Sequence, residues 1–412
     1  MANTLNLGTD GNWATKEDSL LGYNSENNNY KPLPFDFSRA SSATRVNKNG
    51  LIETVGSGKP RIDFKDDSKG ALLLEPSRSN FYTQSNLFTF GGNVTSNNAL
   101  SPDGSLNASK ITKTSSSDQY VSLSWVASLS TSTTYSLSFF VKHNGDDVDL
   151  RYEANNFNDW GVSWNALFEV RENSVIASTV NNCTSNVINF GNGWYRVVVF
   201  VTTSSSITPS SPSNLIRVIG SDTKQFLMYG AMFEQGSYAT SYIPTQGGVA
   251  TRSADTCNNG ANEQVINSTE GVLYFEGSAI ANDGTFKRIS VGTSDNLFAN
   301  SIQLRYNTAD NSMAYQFRVG NVYQADITTT INSTNINKIA CVWKTNRFEI
   351  WINGIKKAED TSGSVPPSNT FNSLFFGKTS TVLAEAFKGN AKDLRVYNTA
   401  LTDQELINLT TI

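Results

Sequence analysis

Short segments in which apolar and polar residues alternate recur along most of this chain, and they constrain the fold more than any other feature. Alternation with a period of two places every second side chain on one face of a β-strand, and helices do not produce it. Clusters of Gly, Asn and Ser between the segments predict turns. The clearest alternating segments are residues 120–125, 135–141, 194–201, 215–219, 225–234, 302–306, 314–319, 337–343 and 347–352. The pattern predicts an all-β fold made of two jelly-roll β-sandwiches.

The composition agrees with such a fold. The chain has 412 residues, enough for two or three domains; 17% of them are charged, 38% are hydrophobic, and Ser, Thr, Asn and Gly dominate the remainder. This is typical of all-β surface proteins with many turns. The net charge is −4 and the basic residues are not clustered, so we expect no nucleic-acid partner. We expect no membrane partner either, because no stretch resembles a membrane span or a signal peptide.

Histidine and cysteine are too scarce for several kinds of catalytic or metal site. His143 is the only histidine, which excludes a His-rich metal site and leaves little room for a Ser–His–Asp triad. It follows an apolar segment, so we expect it at the end of a strand. Cys183, Cys257 and Cys341 are widely separated, which predicts buried free thiols rather than disulfides or a Cys-based metal site. We therefore expect no cofactor, apart from the calcium sites considered below.

Residues 36–80 have a different pattern, in which polar turn formers such as those at 47–50 separate short bursts of apolar residues. The pattern predicts short strands and an extended track. Such a segment cannot bury a core alone, so we expect residues 1–80 to be an extended N-terminal attachment segment that lies along other structure. For the polar residues 1–35, the alternative is a flexible terminus. The residues expected to anchor the segment are Arg39, Arg45, Arg61, Leu73 and Arg78.

The same segment resembles part of a known group of proteins. The sequences SRASSATRVNKNGLIE, PRIDF and LLLEPSRSN follow one another between Ser38 and Asn80. They are similar to a segment that recurs in virion proteins of tailed bacteriophages, where it precedes carbohydrate-binding-module-like or lectin-like β-sandwiches. The resemblance implies a tail, fibre or appendage component of a virion.

Three motifs stand out in residues 81–256: SPDGSLNASKITKT at 101–114, GWYR at 193–196 and YGAMFEQGSYATSYIPT at 229–245. In the last motif, Pro244 is expected to end a strand and to hold the residue before it in an extended conformation. The motifs resemble the carbohydrate-binding-module-like sandwich of phage tail proteins, and the TRSAD sequence that follows is similar to the usual end of such a domain. The resemblance implies a β-sandwich over residues 81–256, and the polar residues 257–269 predict a linker.

Residues 270–412 predict a second sandwich that ends in a short helix. Asn353 and Gly354 directly follow an alternating segment and predict a tight hairpin turn. Thr402 and Glu405 have the spacing of a helix capping box. With the sequences KIACVW, FEIWING and FFG, these features resemble concanavalin A-like and laminin-G-like jelly rolls. The resemblance implies the fold of this part and leaves its ligand open.

Carboxylates cluster at Asp146, Asp147, Asp149 and Glu153, and paired carboxylates can hydrolyse glycosides or bind calcium. The residues around Asp146 are rich in turn formers, which favours a solvated loop. We therefore predict no catalytic residues and a protein that is not an enzyme. A polysaccharide-degrading enzyme is the less favoured alternative.

An aromatic loop near residue 160 has the composition of a sugar-binding site, because indole rings stack on the C–H faces of sugars while Asn and Asp bind hydroxyl groups. The candidate glycan-binding residues are Asn158, Asp159, Trp160 and Trp164. The alternative is that the two Trp residues pack in the core. For Trp164 its strand parity with Ala166 favours this alternative.

Asp283 and Asp295 are candidate metal ligands, because the resemblance to laminin-G-like domains implies a calcium ion at the rim of the sandwich. Both lie beside an Asn, in sequences that are also typical of ordinary hairpin turns. The turn is the simpler interpretation.

Together these features predict a structural protein of a bacteriophage virion, a tail or head fibre or appendage, synthesised in the cytoplasm of the host bacterium. It would display lectin-like sandwiches for adhesion to host-surface glycans. The expected partners are other virion proteins, two further copies of the chain in a homotrimer, and a host-surface polysaccharide. The alternative is a decoration or joint of the capsid or tail that makes only protein–protein contacts.

Overall fold

The computed structural model describes residues 3–30, 34–126, 128–154, 156–208, 213–294, 298–308, 311–378 and 385–412. The chain divides into two compact units. Unit 1 comprises Met1–Ser42, Val55–Pro76 and Ser253–Ile412, and unit 2 comprises Ala43–Thr54 and Ser77–Arg252. Strands dominate both units, which confirms the all-β prediction. Within these ranges, no helix is long and apolar enough to cross a membrane.

The strands are numbered in chain order, and those of the first eighty residues are short. They are β1 (Leu5–Leu7), β2 (Ala14–Lys16), β3 (Ser19–Leu21), β4 (Pro34–Ser38), β5 (Ala43–Val46), β6 (Ile52–Val55), β7 (Ile62–Asp63), β8 (Ala71–Leu74) and β9 (Arg78–Asn80). A 3₁₀ turn at Thr9–Gly11 follows β1. The short strands predicted for residues 36–80 are therefore present.

The middle of the chain contains longer strands and one short helix, α1 (Phe157–Trp160). The strands are β10 (Thr89–Phe90), β11 (Asn93–Leu100), β12 (Leu106–Thr112), β13 (Gln119–Ser124), β14 (Thr134–His143), β15 (Val148–Ala154), β16 (Asn165–Arg171), β17 (Ser174–Asn181), β18 (Thr184–Gly191), β19 (Trp194–Thr202), β20 (Ser213–Ile219), β21 (Gln225–Gln235) and β22 (Ala250–Arg252). His143 ends β14, as predicted.

The last part of the chain ends in helix α2 (Asp403–Thr410). Its strands are β23 (Thr256–Asn258), β24 (Glu270–Ala279), β25 (Lys287–Gly292), β26 (Ser301–Tyr306), β27 (Ser312–Val319), β28 (Val322–Thr330), β29 (Asn337–Lys344), β30 (Arg347–Ile352), β31 (Ile355–Asp360), β32 (Ser373–Phe375) and β33 (Gly389–Tyr397).

Unit 1 is a sandwich of two antiparallel sheets. The eight-stranded sheet has the order β31-β30-β29-β24-β33-β8-β7, with β1 also paired to β33, and the five-stranded sheet has the order β28-β27-β26-β25-β32. Side chains from both sheets, such as Phe275 and Phe317, meet in one apolar core. A smaller sheet, β2-β3-β4-β23, belongs to the same unit.

Most of the N-terminal segment belongs to this unit. Leu5 of β1 lies opposite Val396 of β33, and Leu72 of β8 lies opposite Ala391 of the same strand. Both leucines are buried in the core of unit 1. The apolar bursts of this segment therefore pack in cores of the same chain, which corrects the prediction of residues 1–80 as an attachment segment with its own boundary at residue 80.

The stretch 257–269, predicted to be a polar linker, also belongs to unit 1. Cys257 of β23 lies opposite Phe37 of β4. Cys257, Val265 and Ile266 are buried in the apolar core of the unit. A few apolar side chains in an otherwise polar stretch are enough to fix it to the sandwich, so it does not act as a linker.

Unit 2 is a second sandwich, with six-stranded sheets of order β10-β13-β20-β15-β16-β17 and β11-β12-β21-β14-β19-β18. Its main core lies between the sheets and is rich in aromatic residues. Residues 43–54 form the hairpin β5–β6, and Val46 and Ile52 pack with Phe140 and Trp194 in a second apolar cluster. The unit therefore includes a hairpin that the predicted domain range of 81–256 leaves out.

Two local predictions in the C-terminal part are confirmed. Asn353 and Gly354 have φ angles of 52° and 81° and connect β30 to β31, as a two-residue hairpin turn requires. The Thr402 hydroxyl accepts a hydrogen bond from the backbone N–H of Glu405, and the Glu405 carboxylate accepts one from the backbone N–H of Thr402 at 2.8 Å. This capping box begins α2, whose Leu406 is buried against the eight-stranded sheet.

Candidate functional site

Three of the four residues predicted to bind glycans lie in the core of unit 2. Trp160 is fully buried and Trp164 is 2% exposed, and their ring centroids are 5.5 Å apart. The indole N–H of Trp160 donates to Oδ1 of Asn214 at 3.3 Å, and Asp159 is buried beside it. No ring face is left for a sugar, so their burial corrects the prediction for Asp159, Trp160 and Trp164.

The fourth of these residues, Asn158, is exposed at the start of α1. The side chain of Asn156 caps the helix by accepting a hydrogen bond from the backbone N–H of Asn158 at 3.0 Å. Beside Asn158, Phe157 is 56% exposed. The loop therefore presents one aromatic ring and one amide to solvent, without the predicted indole platform.

Two of the residues predicted to anchor the chain, Arg39 and Arg61, are buried in an ionic cluster of unit 1. Arg39 Nη1 lies 3.0 Å from Asp255 Oδ1, and Arg61 pairs with Asp255 and, at 2.8 Å, with Oε2 of Glu75. Burial alone would lower the pKa of Arg61, but the two carboxylates outweigh it and raise that pKa. Because neither guanidinium reaches the surface, the cluster is internal, which corrects the anchoring prediction for these two residues.

The other predicted anchoring residues differ from one another in their burial and contacts. Leu73 is 8% exposed in β8, where it pairs with β33. Arg45 lies 2.6 Å from a carboxylate oxygen of Glu53 and retains a partly exposed side chain. Arg78 stacks on the ring of Tyr238 at 5.0 Å and is also partly exposed. Only Arg45 and Arg78 of the predicted set therefore present their charge to solvent.

The candidate metal ligand Asp283 is occupied by neighbouring side chains. Its Oδ1 accepts from the hydroxyl of Thr285 at 2.6 Å and from the ammonium group of Lys287 at 2.5 Å. Partial burial would raise the pKa of Asp283, but these hydrogen bonds lower it overall. Asp295 lies outside the described residues. Within the described ranges, no group of three or more His, Cys, Asp or Glu side chains has a metal-binding arrangement.

The carboxylates considered for hydrolysis lie on unit 2, where basic residues and backbone groups contact them. Asp149 lies 2.9 Å from Arg171, and Glu153 lies 2.7 Å from Arg217. Asp146 accepts a hydrogen bond from the backbone N–H of Gln225 at 2.9 Å. The turn predicted after His143 is present between β14 and β15.

A set of side chains that the sequence analysis did not single out lies on the outer face of the five-stranded sheet of unit 1. Alternate residues of β25, β26 and β27 belong to the core, so the residues between them face outward. The polar residues on this side of the sheet are Arg288, Ser290, Gln303, Arg305, Gln316 and Arg318. Arg305 and Arg318 are partly exposed, and the other four are buried. Arg288 lies opposite Arg305 in the β25–β26 pair, and Arg318 lies opposite Tyr323 in the β27–β28 pair.

Three aromatic rings accompany these arginines. The guanidinium carbon of Arg305 lies 4.9 Å from the ring centroid of Phe286, and that of Arg318 lies 4.6 Å from the centroid of Tyr323. Arg318 and the ammonium nitrogen of Lys378 also approach the ring of Phe298, at 5.2 and 4.7 Å. These are cation–π distances, and the rings hold the long side chains against the sheet. We call this set, Phe286, Arg288, Phe298, Arg305, Arg318, Tyr323 and Lys378, the basic–aromatic face.

Carboxylates of the described residues pair with only some of the charges of the basic–aromatic face. Nε of Arg288 lies 2.5 Å from Oε2 of Glu385, and Lys378 lies 3.8 Å from the same carboxylate. Burial lowers the pKa of Arg288; the charge of Glu385 opposes this effect and that of Arg305 adds to it. Arg305 donates to Oδ1 of Asn307 at 2.7 Å and has no carboxylate partner among the described residues. Arg288 is buried and also donates to Gln303, whereas Arg305 and Arg318 are partly exposed. Each guanidinium carries five N–H donors, so Arg305 and Arg318 are the residues that can donate to a ligand.

A sequence signal for this face exists. The strands β26 and β27 contain Gln-Leu-Arg and Gln-Phe-Arg, in which an outward Gln and an outward Arg flank a core residue. In an antiparallel pair this pattern places the two Gln opposite each other and one Arg on either side of them. The aromatic partners Phe286 and Phe298 lie outside regular strands, so their position depends on the folded loops.

Comparison with known proteins places the C-terminal sandwich in a class. A family model described as the concanavalin A-like lectin/glucanases superfamily matches residues 265–407. This region therefore forms a concanavalin A-like, laminin-G-like domain, as its sequence predicts. No curated protein matches the chain.

Several solved structures are similar to parts of this chain. The CBM40 domain of the Ruminococcus gnavus IT-sialidase is 16% identical, with a TM-score of 0.32, and the match covers 37% of this chain and 93% of that domain. A heptameric SAP-like pentraxin from Limulus polyphemus is 14% identical over 34% of this chain and 70% of its own, with a TM-score of 0.28. Domains LG4-5 of the mouse laminin α1 chain are 9% identical over 70% of this chain and 90% of theirs, with a TM-score of 0.25.

Proposed function

We propose that this protein binds glycans through the basic–aromatic face of its concanavalin A-like domain and does not catalyse a reaction on them. The observation that carries the proposal is the combination on one sheet face of Tyr323, which is 44% exposed, with arginines that have no carboxylate partner among the described residues. An exposed ring can stack on the C–H face of a sugar. The guanidinium groups can donate hydrogen bonds to hydroxyl or acidic groups.

We further propose that the protein is a structural component of a bacteriophage virion, and that it presents this face to the host surface. The resemblance of residues 38–80 to a segment of phage virion proteins supports this role. Because Arg39 and Arg61 are buried, the partly exposed Arg45 and Arg78 are the predicted contacts to other virion proteins. A homotrimer remains the oligomeric state that we propose.

The proposed glycan binding can be tested with the intact chain on an array of bacterial surface polysaccharides. We expect binding to at least one glycan class, and we expect Arg305→Ala and Arg318→Ala to weaken it at least tenfold, because a hydrogen bond to a charged group contributes about 1.5–3 kcal/mol. Arg171→Ala is the control, since Arg171 is a partly exposed arginine of unit 2 that lies among three carboxylates. Folded protein that binds no glycan at high concentration would refute the proposal and favour a joint with only protein contacts.

A further inference from the structure

The basic–aromatic face carries positive charge that the described residues pair only in part with carboxylates. Arg288 and Arg305 lie directly opposite each other on antiparallel strands. Like charges in this position destabilise a sheet. Glu385 balances Arg288 at 2.5 Å, whereas Arg305 has no carboxylate partner in the described part of the chain. An anion bound beside Arg305 would therefore lower the electrostatic energy of the face.

Arg318, at the other end of the face, also has no carboxylate partner among the described residues. One of its terminal nitrogens donates to the backbone carbonyl of Asn321 at 3.2 Å. Its Nε is buried and has no acceptor among the described residues. The side chain is partly exposed, so its other N–H groups can donate to an acidic group, which is a strong acceptor.

The two arginines are too far apart to serve a single sugar ring. Ala314 lies opposite Arg305 in the β26–β27 pair, and Arg318 is four residues further along β27. At about 3.3 Å per residue, this separates the two backbone positions by roughly 13 Å. The side chains do not converge on one ring, because Arg305 stacks on Phe286 while Arg318 stacks on Tyr323 and Phe298.

We infer that the basic–aromatic face binds an anionic polysaccharide, with acidic groups of different sugar residues of one glycan chain at Arg305 and at Arg318. The inference rests on the proposed function and specifies its ligand class. Carboxylates and sulfates share the required chemistry, because both present paired oxygens to a guanidinium fork. Tyr323 and Phe286 supply ring faces beside the two cationic positions.

The test measures binding of the intact chain to alginate, dextran sulfate and neutral dextran by biolayer interferometry. We expect binding to at least one of the two anionic polymers, no measurable binding to dextran, and an affinity that falls as salt is raised from low to physiological concentration and beyond. Arg305→Gln and Arg318→Gln should each weaken binding about tenfold or more, whereas Arg171→Gln should not change it. Galacturonic acid as a monomer should compete far less well than an oligomer of the same sugar.

The outcomes separate this inference from the proposed function. Binding to alginate assigns carboxylate groups, and binding to dextran sulfate alone assigns sulfate groups; both support the inference. Equal binding to dextran, or competition by the monomer as strong as by the oligomer, overturns the inference while glycan binding stands. If neither these polymers nor any glycan of the array binds to the folded chain, the proposed function fails as well.

Discussion

Replacing Asp255 by Asn should strongly destabilise unit 1, because this carboxylate compensates two buried arginines. Arg39 and Arg61 both pair with it, and its Oδ2 also accepts the backbone N–H of Glu75 at 2.9 Å. The side chains of all three ionic partners are completely buried. An amide has nearly the same shape, so the substitution removes the charge and one acceptor without creating a cavity.

The magnitude follows from the burial of the cluster. Removing one member of a buried ion pair costs about 3–5 kcal/mol, since the remaining charge stays buried without compensation. In Asp255→Asn, Arg61 would keep its ion pair with Glu75, whereas Arg39 would lose its ion pair with residue 255. The amide N–H₂ would also point a donor at one of the two arginines. For a unit of this size, each kcal/mol lowers Tm by about 2–4 °C, so we expect a decrease of roughly 6–20 °C.

Differential scanning calorimetry of the intact chain can measure this decrease. Asp66→Asn is the matched control, because Asp66 forms its ion pair with Lys65 at the surface, where its side chain is 72% exposed. Surface pairs contribute about 0–1 kcal/mol, so the control should leave Tm nearly unchanged. If Asp255→Asn lowered the free energy of unfolding by less than about 1 kcal/mol, the conclusion that this carboxylate stabilises the two buried arginines would be wrong.

Three further substitutions test other parts of the structure. Trp160→Ala should cost unit 2 about 3–5 kcal/mol in urea unfolding and leave glycan binding unchanged, because the indole is in the core; a stable variant with lost binding would contradict this placement. Burial alone would raise the pKa of Glu349, but hydrogen bonds from Arg347 and Trp351 lower it overall. The ionised Glu349 should therefore stabilise the fold above a pH of about 4.3, and this contribution should disappear as the pH falls through the lowered pKa. Wild type and Glu349→Gln should then become equally stable in acid, and a stability difference that does not change with pH would refute this. Thr402→Ala should cost about 1 kcal/mol through loss of the α2 cap, measured by urea unfolding, and an unchanged midpoint would argue against the cap.

The features that could be predicted from the sequence depend on residues close together in the chain. The alternating strands, the Asn353-Gly354 turn and the capping box of Thr402 are set by spacings of a few residues. Trp160 shows the limit of such reasoning, because its burial depends on Tyr135 and Phe233, which belong to other strands. The ring centroids of these two residues lie 5.9 and 5.7 Å from that of Trp160. An exposed sugar-binding loop and a buried aromatic core can contain the same residue types, so composition alone does not distinguish them.

The same limit applies to the N-terminal segment and to the candidate site. The apolar bursts of residues 36–80 correctly indicate short strands, but β33, the partner of β8, lies more than three hundred positions away, and no local pattern specifies it. The basic–aromatic face was partly visible in the Gln-x-Arg repeats of β26 and β27. The ion pair of the face could not be predicted from the sequence, because Glu385 approaches Arg288 only in the folded protein.

The pairing of Leu5 with Val396 also has a consequence for how the protein folds as it is synthesised. All residues of unit 2 precede residue 253, so this sandwich can form while the ribosome is still translating the rest. Unit 1 has to wait for β33, and until then Leu5 and Leu72 lack the strand with which they pair. The N-terminal strands are therefore the segments that we expect a chaperone to hold, and the release of β33 from the ribosome would start the closure of the sandwich.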